Sequence, residues 1–306
     1  MTRSLTTLFE APLAPIRTQL AHALRSRVAG EDADAEAGRI WGATGPRWFG
    51  PQDAIWRVHA DASMFVGGIR ALLLQSLHPL AMAGVAGHSG YKSDPWGRLQ
   101  RTSNFLATTT FSTTANAEAA IARVRSIHDR VRGKAPDGRP YRAGDPHLLA
   151  WVHVAEADSF LSTYQAYGPG RLTPAECDEY VAQSAITASA LGVLDPPTTA
   201  AELAEALAAY RPELEAPPAA LEAARFLLYQ PPLPLSARPG YATLAAGAVA
   251  DLPEWARHAL DLRLPGPLDG VAGPVVGRPL GKVSAGLVRW ALSDPAIARD
   301  RRARLG

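Results

Sequence analysis

The spacing of apolar residues constrains the fold of this chain more than any other feature, because they recur every three or four positions between prolines and glycines. This spacing puts the apolar side chains on one face of an α-helix, whereas a half-buried strand would alternate polar and apolar residues. The sequence shows no internal repeat and no Gly/Ser linker. We therefore expect an all-α fold, with residues 1–306 forming one continuous domain.

Two helices in the middle of the chain have clear boundaries. The segment EAAIARVRSIHDRVR predicts a helix over residues 118–132, and Gly133 is expected to stop it. Asp145 followed by Pro146 supplies a cap and a first-turn proline for a long helix that is predicted to end at Gly168.

An apolar helix is predicted to follow Asp53 and to run through Gly67-Gly68 towards Leu77, with Pro79 bending or ending it. Further amphipathic helices are predicted over residues 174–191, 200–210, 218–229, 253–262 and 281–292. The proline- and glycine-rich segments 230–240 and 264–281 are predicted to be loops. The hydroxyl-rich run TTTFSTT, at residues 108–114, is expected either to line a polar pocket or to cap a helix.

Charge and cysteine content exclude several classes of protein. The 31 Lys and Arg nearly balance the 29 Asp and Glu, so the chain lacks the basic excess of a nucleic-acid-binding protein. A short arginine cluster at the C-terminus is interpreted as a solvated helix end. The single Cys177 excludes an internal disulfide and a cysteine-based metal site built within one chain. A reducing cytoplasm is therefore the expected compartment.

We expect neither a secretory signal nor a membrane span. The N-terminal residues 1–20 lack an uninterrupted apolar core, so they are interpreted as part of the mature protein. The longest apolar region, residues 64–85, is interrupted by Arg70, Gln75, His78 and Pro79. These interruptions favour a buried helix pair over a membrane-spanning helix.

The most informative motif is Arg125-x-x-His128-x-x-x-Arg132, because offsets of three and seven place the three side chains on one face of the predicted helix. Guanidinium groups bind carboxylates and a neutral imidazole binds iron, so the motif suits an anionic cofactor with a metal centre, such as haem. In the alternative interpretation, the arginines face solvent or pair with Glu118 and Asp129, while His128 packs in the core.

Two further groups of residues are candidates. Arg98, Arg101 and Thr102 share a helical face and could bind haem propionates or line the space above a metal, although an exposed basic turn would look the same. His153 is either a pocket-wall or proton-carrying residue or a core histidine with satisfied hydrogen bonds. HExxH and HxH metal motifs are absent from the sequence, as are GxSxG, P-loop and GxGxxG motifs.

Several segments, in the same order, resemble the haem-dependent oxygenase family that includes rubber oxygenase (latex-clearing protein) and the fungal MpaB-type oxygenases, in particular its actinobacterial branch. The resemblance is strongest over residues 56–191 and is carried by these segments: IRALLLQSLHPLAMAGVAGHSGYKSDPWGRLQRTSNFL, RSIHDRVRG and GRPYRAGDPHLLAWVHVAEADSFLSTYQAYG. The resemblance implies an all-helical fold that encloses haem b, with the iron ligated by His128. It assigns Arg98, Thr102, Arg125 and Arg132 to the cofactor site.

Two departures limit what the resemblance implies about the reaction. Arg101 stands where rubber oxygenases carry a lysine that covers the distal iron face, and an arginine is a poor iron ligand. The apolar stretch 69–86 contains no Asp or Glu to match the acidic residue of rubber oxygenases. The polyisoprene reaction is therefore not carried over.

We expect a haem-dependent oxidoreductase that uses dioxygen or peroxide, with a possible electron donor, to oxidise a small organic molecule in a pocket walled by Arg101, Thr102 and His153. Two alternatives remain open. One is a haem-binding protein that stores, senses or transfers the cofactor without catalysis. The other is a haem-free helical protein with an unrelated binding role.

Overall fold

The computed structural model describes residues 17–19, 21, 30, 33–88, 90, 93–262 and 273–293. The N-terminal segment, residues 1–20, in which no signal sequence is expected, lies almost wholly outside these residues. The C-terminal arginine cluster and the first half of the predicted loop 264–281 also lie outside them.

The described chain is mostly helical, which confirms the predicted all-α class. The helices are α1 (Ala33–Trp41), α2 (Ala54–His59), α3 (Ser63–Gln75), α4 (Pro79–His88), α5 (Pro95–Phe111), α6 (Thr114–His128), α7 (Pro146–Tyr167), α8 (Pro174–Leu191), α9 (Ala200–Ala209), α10 (Pro218–Tyr229), α11 (Arg238–Asp251), α12 (Glu254–Ala259) and α13 (Arg278–Leu292). Two strands, β1 (Arg132–Lys134) and β2 (Pro140–Arg142), form an antiparallel hairpin between α6 and α7.

Helices α3 and α7 pack against each other at the centre of the fold, and α11 and α13 cover them. Trp151 and Tyr167 of α7 are almost completely buried in the main core, together with Leu73 and Leu74 of α3. Gly67 of α3 permits the close approach to α7, because a Cβ atom there would lie 2.7 Å from the Thr163 hydroxyl oxygen. The two predicted glycines thus lie inside a helix, and Gly67 serves its packing.

The apolar region of α3 and α4 is bent, as the proline predicted. Helix α3 ends at Gln75, Pro79 begins α4, and the axes of the two helices differ by 109°. None of the described helices is both long and apolar enough to cross a membrane by itself, and this bent pair meets the length and composition criteria only when its two members are taken together.

Helix α11 meets α13 through two glycines. A Cβ atom on Gly247 would lie 2.6 Å from the Cα atom of Gly281, so the two backbones are in direct contact. The Tyr167 hydroxyl donates a 2.8 Å hydrogen bond to the carbonyl oxygen of Gly247. A Cβ atom on Gly281 would also lie 2.8 Å from the Tyr167 ring. Side chains larger than hydrogen are therefore excluded at both glycines.

Several predicted helix boundaries are confirmed. The Asp145 carboxylate accepts a hydrogen bond from the His147 amide at 2.9 Å, and the helix that begins there ends at Tyr167, next to Gly168. Helix α8 has the predicted bounds and begins with a capping box between Thr173 and Glu176.

The prediction of one helix over residues 118–132 is wrong at its C-terminal end. Helix α6 ends at His128, and Arg132 begins strand β1 opposite Arg142. Gly133 lies against the buried Tyr141, since a Cβ atom there would be 2.7 Å from the tyrosine hydroxyl oxygen. Pairing with the next strand of the hairpin therefore ends the helix, and Arg132 does not share a helical face with His128.

The helix predicted after Asp53 is also interrupted. The Asp61 carboxylate accepts a hydrogen bond from the Ser63 amide at 2.8 Å, and it also accepts two hydrogen bonds from Arg289 of α13, at 2.7 and 2.8 Å. These contacts separate α2 from α3.

Candidate functional site

His128 is the last residue of α6, and it is half-buried. Its ring nitrogen Nδ1 is buried without a hydrogen-bond partner, and burial lowers the pKa of the imidazole. The ring is therefore neutral at pH 7, which is the form that ligates metals. An unpartnered buried nitrogen is costly in a folded protein unless a ligand or another group satisfies it.

Helices α5 and α6 pack together and are joined only by Ser112 and Thr113, so they form a helical hairpin. The two helices of a hairpin run in opposite directions. The N-terminal end of α5, which carries Arg98, Arg101 and Thr102, is therefore on the same side of the hairpin as the C-terminal end of α6. Among the described residues, no hydrogen bond or ion pair joins His128 to Arg101, Thr102 or His153.

The two flanking arginines of the motif are exposed. Arg125 donates a 3.4 Å hydrogen bond to the carbonyl oxygen of Ala190 at the end of α8. It also lines an open groove of about 480 Å³ whose walls are Glu118, Ile121, Ala122, Arg125, Ser126, Asp129 and Ala190. Arg132 lies at the start of the β-hairpin. The structure thus places both of these cations at the surface.

Arg98 is partly buried, whereas Arg101 and Thr102 are exposed. The Arg101 guanidinium forms a 3.1 Å ion pair with Asp94, which caps α5. One turn further along the helix is Asn104, whose side-chain oxygen is buried with no hydrogen-bond partner. One face of α5 therefore carries the exposed Arg101 and, one turn later, a buried polar group with no hydrogen-bond partner.

His153 and Glu156 lie one turn apart on α7, on the face that also presents Phe160. The Nε2 atom of His153 is buried and unpartnered, and burial lowers the pKa of this histidine to about 4. Burial raises the pKa of Glu156 to about 7. At pH 7 a neutral imidazole is therefore adjacent to a carboxyl group that is close to its titration midpoint.

His59 of α2 is a further buried histidine. Its Nδ1 atom lies 2.8 Å from the Thr110 hydroxyl oxygen of α5, and its Nε2 atom is buried without a partner. Its ring packs edge-on against Phe160 of α7 and Tyr180 of α8, with centroids 5.5 and 6.0 Å away. Burial lowers the pKa of His59 to about 4.

Tyr180 is almost fully buried, and His59, His153 and Glu156 are partly buried, with the Nε2 atom of each histidine shielded from solvent. We call these four residues the buried polar cluster. The negative charge of Glu156 helps to raise the pKa of Tyr180 well above its usual value, after the larger effect of burial. Such a cluster can donate, accept and hold protons away from bulk water. Perturbed titratable groups with unsatisfied nitrogens are typical of a binding or catalytic site.

The sequence pointed to His153 but missed His59, Tyr180 and the raised pKa of Glu156. The run TTTFSTT gave one usable signal: its predicted role as a helix cap is confirmed, whereas its role in lining a polar pocket stays a prediction. Thr110 bonds to His59, and the Thr113 side chain caps α6 by accepting a hydrogen bond from the Asn116 amide at 3.4 Å.

Comparison with known protein families gives one match, to the catalytic domain described as ER-bound oxygenase mpaB/B'/Rubber oxygenase, over residues 56–290. The match covers most of the chain and continues well beyond residue 191, where the sequence resemblance had been placed. No curated protein and no solved structure matches the chain significantly. The chain belongs to the mpaB/rubber oxygenase catalytic-domain family, and this family implies an oxygenase activity.

Proposed function

We propose that this protein is a haem b-dependent oxygenase that acts on a small organic molecule with dioxygen or peroxide, and that His128 ligates the iron. The observation that carries the proposal is the half-buried, neutral imidazole of His128, whose Nδ1 atom has no partner. It lies in a chain whose family is an oxygenase family.

The chemistry of the described residues fits haem b. Its propionate groups need cationic partners, and we assign Arg98, Arg125 and Arg132 to that role. The flat faces of the haem ring need an interior environment in which few other groups compete to ligate the iron. The buried polar cluster and the unsatisfied oxygen of Asn104 supply the polar groups that such a site would use. When bound through a histidine, haem b would supply chemistry with dioxygen or peroxide rather than the strong electron push of a thiolate-ligated iron.

We assign proton handling to the residues of α7. Because Glu156 has a pKa of about 7, it can both hold and release a proton under working conditions. His153 is neutral, so its ring can accept a hydrogen bond at one nitrogen and donate one at the other. Arg101 and Thr102, at the entrance end of α5, would orient an anionic or polar substrate.

The proposal includes a small-molecule substrate and an electron donor as partners, and the reducing cytoplasm as the compartment. The cytoplasm is supported by Cys177, which is buried and unpaired. A non-catalytic haem-binding protein would need the same iron ligand and the same arginines. Turnover therefore separates the two functions: the oxygenase consumes oxidant and modifies substrate, whereas a storage or transfer protein does not.

Absorption spectra test the proposal directly. We would compare wild type, His128→Ala and His258→Ala in the ferric and dithionite-reduced states, with a pyridine haemochrome assay for haem content. His258 is an exposed histidine of α12 and serves as the matched control. We expect a Soret band in wild type and in His258→Ala, and its loss or displacement in His128→Ala. A colourless wild type that hemin cannot reconstitute would overturn the proposal.

The role of Arg101 has a separate test. We expect Arg101→Ala to lower turnover by about tenfold or more while haem content stays unchanged. Arg139→Ala is the matched control, because Arg139 is also exposed and paired with a neighbouring aspartate, Asp137. Unchanged turnover in Arg101→Ala would remove Arg101 from the site.

A further inference from the structure

His78, His147 and Glu213 come together on the side of the protein where the start of α7 meets the end of α9. One ligand atom from each lies within 4.8 Å of the other two. His78 precedes Pro79 of α4, His147 lies in the first turn of α7, and Glu213 ends the short 3₁₀ turn Arg211–Glu213. Sequence motifs could not reveal this group, because its members are far apart along the chain.

His78 is the buried member of the group. Its side chain is 3% exposed, and neither ring nitrogen has a hydrogen-bond partner. The ring packs among the rings of His147, Trp151 and Tyr210, at centroid distances of 6.2, 6.3 and 6.4 Å. Leaving both nitrogens of a buried imidazole unsatisfied is unfavourable. Its Nε2 atom points towards Glu213, whose carboxylate oxygen is 3.5 Å away.

The distances suit a small metal ion. Metal–nitrogen and metal–oxygen bonds of about 2.0–2.2 Å in a tetrahedral site separate neighbouring ligand atoms by roughly 3.3–3.5 Å. The observed separations are 3.5 Å between His78 and Glu213, and 2.8 Å between His147 Nε2 and the same carboxylate oxygen. Small rotations of the exposed His147 and Glu213 side chains would lengthen the 2.8 Å distance to the separation expected between two metal ligands.

Neighbouring groups already hold two of the ligands in position. The Tyr210 hydroxyl donates a 2.8 Å hydrogen bond to the His147 carbonyl oxygen and lies 3.4 Å from the His147 Nδ1 atom. A proton on Nδ1 leaves Nε2 free to ligate, which is the usual outer-shell arrangement of a metal-binding histidine. Near His78, the carbonyl oxygen of Leu77 accepts a 2.9 Å hydrogen bond from the Glu215 amide, which ties this segment to the chain around Glu213.

The group is open on one side. His147 and Glu213 also line a cleft of about 290 Å³, together with Asp195 and Tyr210. The nearby cation Arg139 forms a 2.6 Å ion pair with Asp137, which offsets its charge. A bound ion would therefore have three protein ligands and one position facing the cleft, which a water molecule or a small ligand could occupy.

We propose that His78, His147 and Glu213 bind one first-row divalent transition-metal ion, separate from the haem site. Two imidazoles and one carboxylate are a ligand set used by both zinc and iron(II). The site joins α4, α7 and the 3₁₀ turn after α9, so the ion would also cross-link three segments that are distant in sequence.

The test uses the full-length protein with any affinity tag removed. Bound zinc and iron are measured by elemental analysis of the protein as purified, and haem iron is counted separately by haemochrome assay. The zinc affinity of metal-stripped protein is then measured by equilibrium dialysis. We expect one bound equivalent of a divalent ion. His147→Ala and Glu213→Gln should each weaken zinc binding at least tenfold.

His258→Ala is the matched control, since His258 is an exposed histidine 3.5 Å from Glu254 and, within the described part of the chain, belongs to no group of three possible metal ligands. It should bind zinc as wild type does. Because His147 and Glu213 are exposed, both test variants should fold, and circular dichroism would verify this. Absence of saturable zinc binding, or equal affinity in wild type and the two variants, would overturn the site. Since the readout is zinc, failure of the haem proposal leaves this result unaffected.

Discussion

The His59 imidazole reaches across from α2 to the Thr110 hydroxyl of α5, with 2.8 Å between Nδ1 and Oγ1. This bond fixes the ring so that its other nitrogen is buried with no partner. Among the described residues, the Thr110 hydroxyl is the hydrogen-bond partner of the ring, and the ring packs against Phe160 and Tyr180. The contact connects the hydroxyl-rich end of α5 to the buried polar cluster.

Replacing Thr110 by valine keeps the shape of the side chain and removes this contact. We expect Thr110→Val to lower the free energy of unfolding by about 1–3 kcal/mol, because a second buried nitrogen of His59 loses its partner. Thr109→Val is the control, since the Thr109 hydroxyl bonds only to carbonyl groups of its own helix. Urea denaturation would measure both, and equal losses would contradict a specific role for the His59 contact.

Gly67 and Gly68 provide a test of the α3–α7 interface. A Cβ atom on Gly67 would lie 2.7 Å from the Thr163 hydroxyl oxygen and 2.8 Å from the Phe160 ring, whereas one on Gly68 meets nothing within 4 Å. We expect Gly67→Ala to destabilise the protein by about 1–3 kcal/mol through overpacking. Gly68→Ala should stabilise it by up to about 1 kcal/mol through helix propensity. Thermal denaturation of the two variants would reveal whether Gly67→Ala is less stable and Gly68→Ala more stable than wild type.

Arg70 is a buried cation between two acidic side chains. It forms ion pairs with Asp158 at 2.8 Å and with Asp251 at 3.2 Å, and its side chain is 3% exposed. Arg70→Met leaves these carboxylates without their cation, so we expect a loss of about 3–5 kcal/mol in the free energy of unfolding.

The control for Arg70 is Arg57→Met. Arg57 pairs with Glu176, and both side chains are about one-third exposed. A partly exposed pair of this kind contributes at most about 1 kcal/mol. Guanidinium chloride is unsuitable because it screens charge, so urea denaturation at low salt is the measurement. Losses of similar size in the two variants would contradict the role assigned to burial.

Glu156 predicts a pH dependence of stability. Burial raises its pKa to about 7 from an ordinary value of 4.5. Between these pH values the folded protein holds a proton that the unfolded chain has released, so this group lowers the free energy of unfolding as pH rises. Glu156→Gln stays neutral and lacks the effect. Relative to wild type, the variant should gain about 3 kcal/mol between pH 4.5 and pH 7.

The measurement is urea denaturation of wild type and Glu156→Gln from pH 4.5 to pH 8, with Glu205→Gln at an exposed position as the control. His59 and His153 have lowered pKa values, so they contribute in the opposite direction, with stability lost as pH falls from 6.5 towards 4. Their contribution is present in both proteins and cancels in the difference. A constant difference across the range would rule out a raised pKa for Glu156.

The sequence was sufficient for those parts of the fold that depend on local signals. Asp145 and Pro146 start α7, and the capping box of Thr173 and Glu176 starts α8, because each cap acts within one turn of its own helix. Where contacts between separate elements decide, the predicted helix boundaries were wrong. Tyr141 packs against Gly133 and helps end α6 early, and Arg289 binds Asp61 from 228 positions away.

The same distinction applies to the candidate site. His128 and His153 were identifiable from motif and resemblance, and their assignment to a haem site remains a prediction. His59 carries no local signal, because its partners Thr110, Phe160 and Tyr180 come from three other helices. Burial of Glu156, which changes its acid strength, likewise depends on packing that a single sequence does not reveal.

The glycine contact between α11 and α13 limits how this protein can move. Because Gly247 and Gly281 touch through their backbones, and the Tyr167 hydroxyl is bonded to the Gly247 carbonyl, there is no side-chain rotamer at the crossing that could switch between two arrangements. The two helices and α7 must therefore shift together as a rigid unit. Any breathing motion that admits a substrate to the interior would therefore have to occur at a helix contact other than this one.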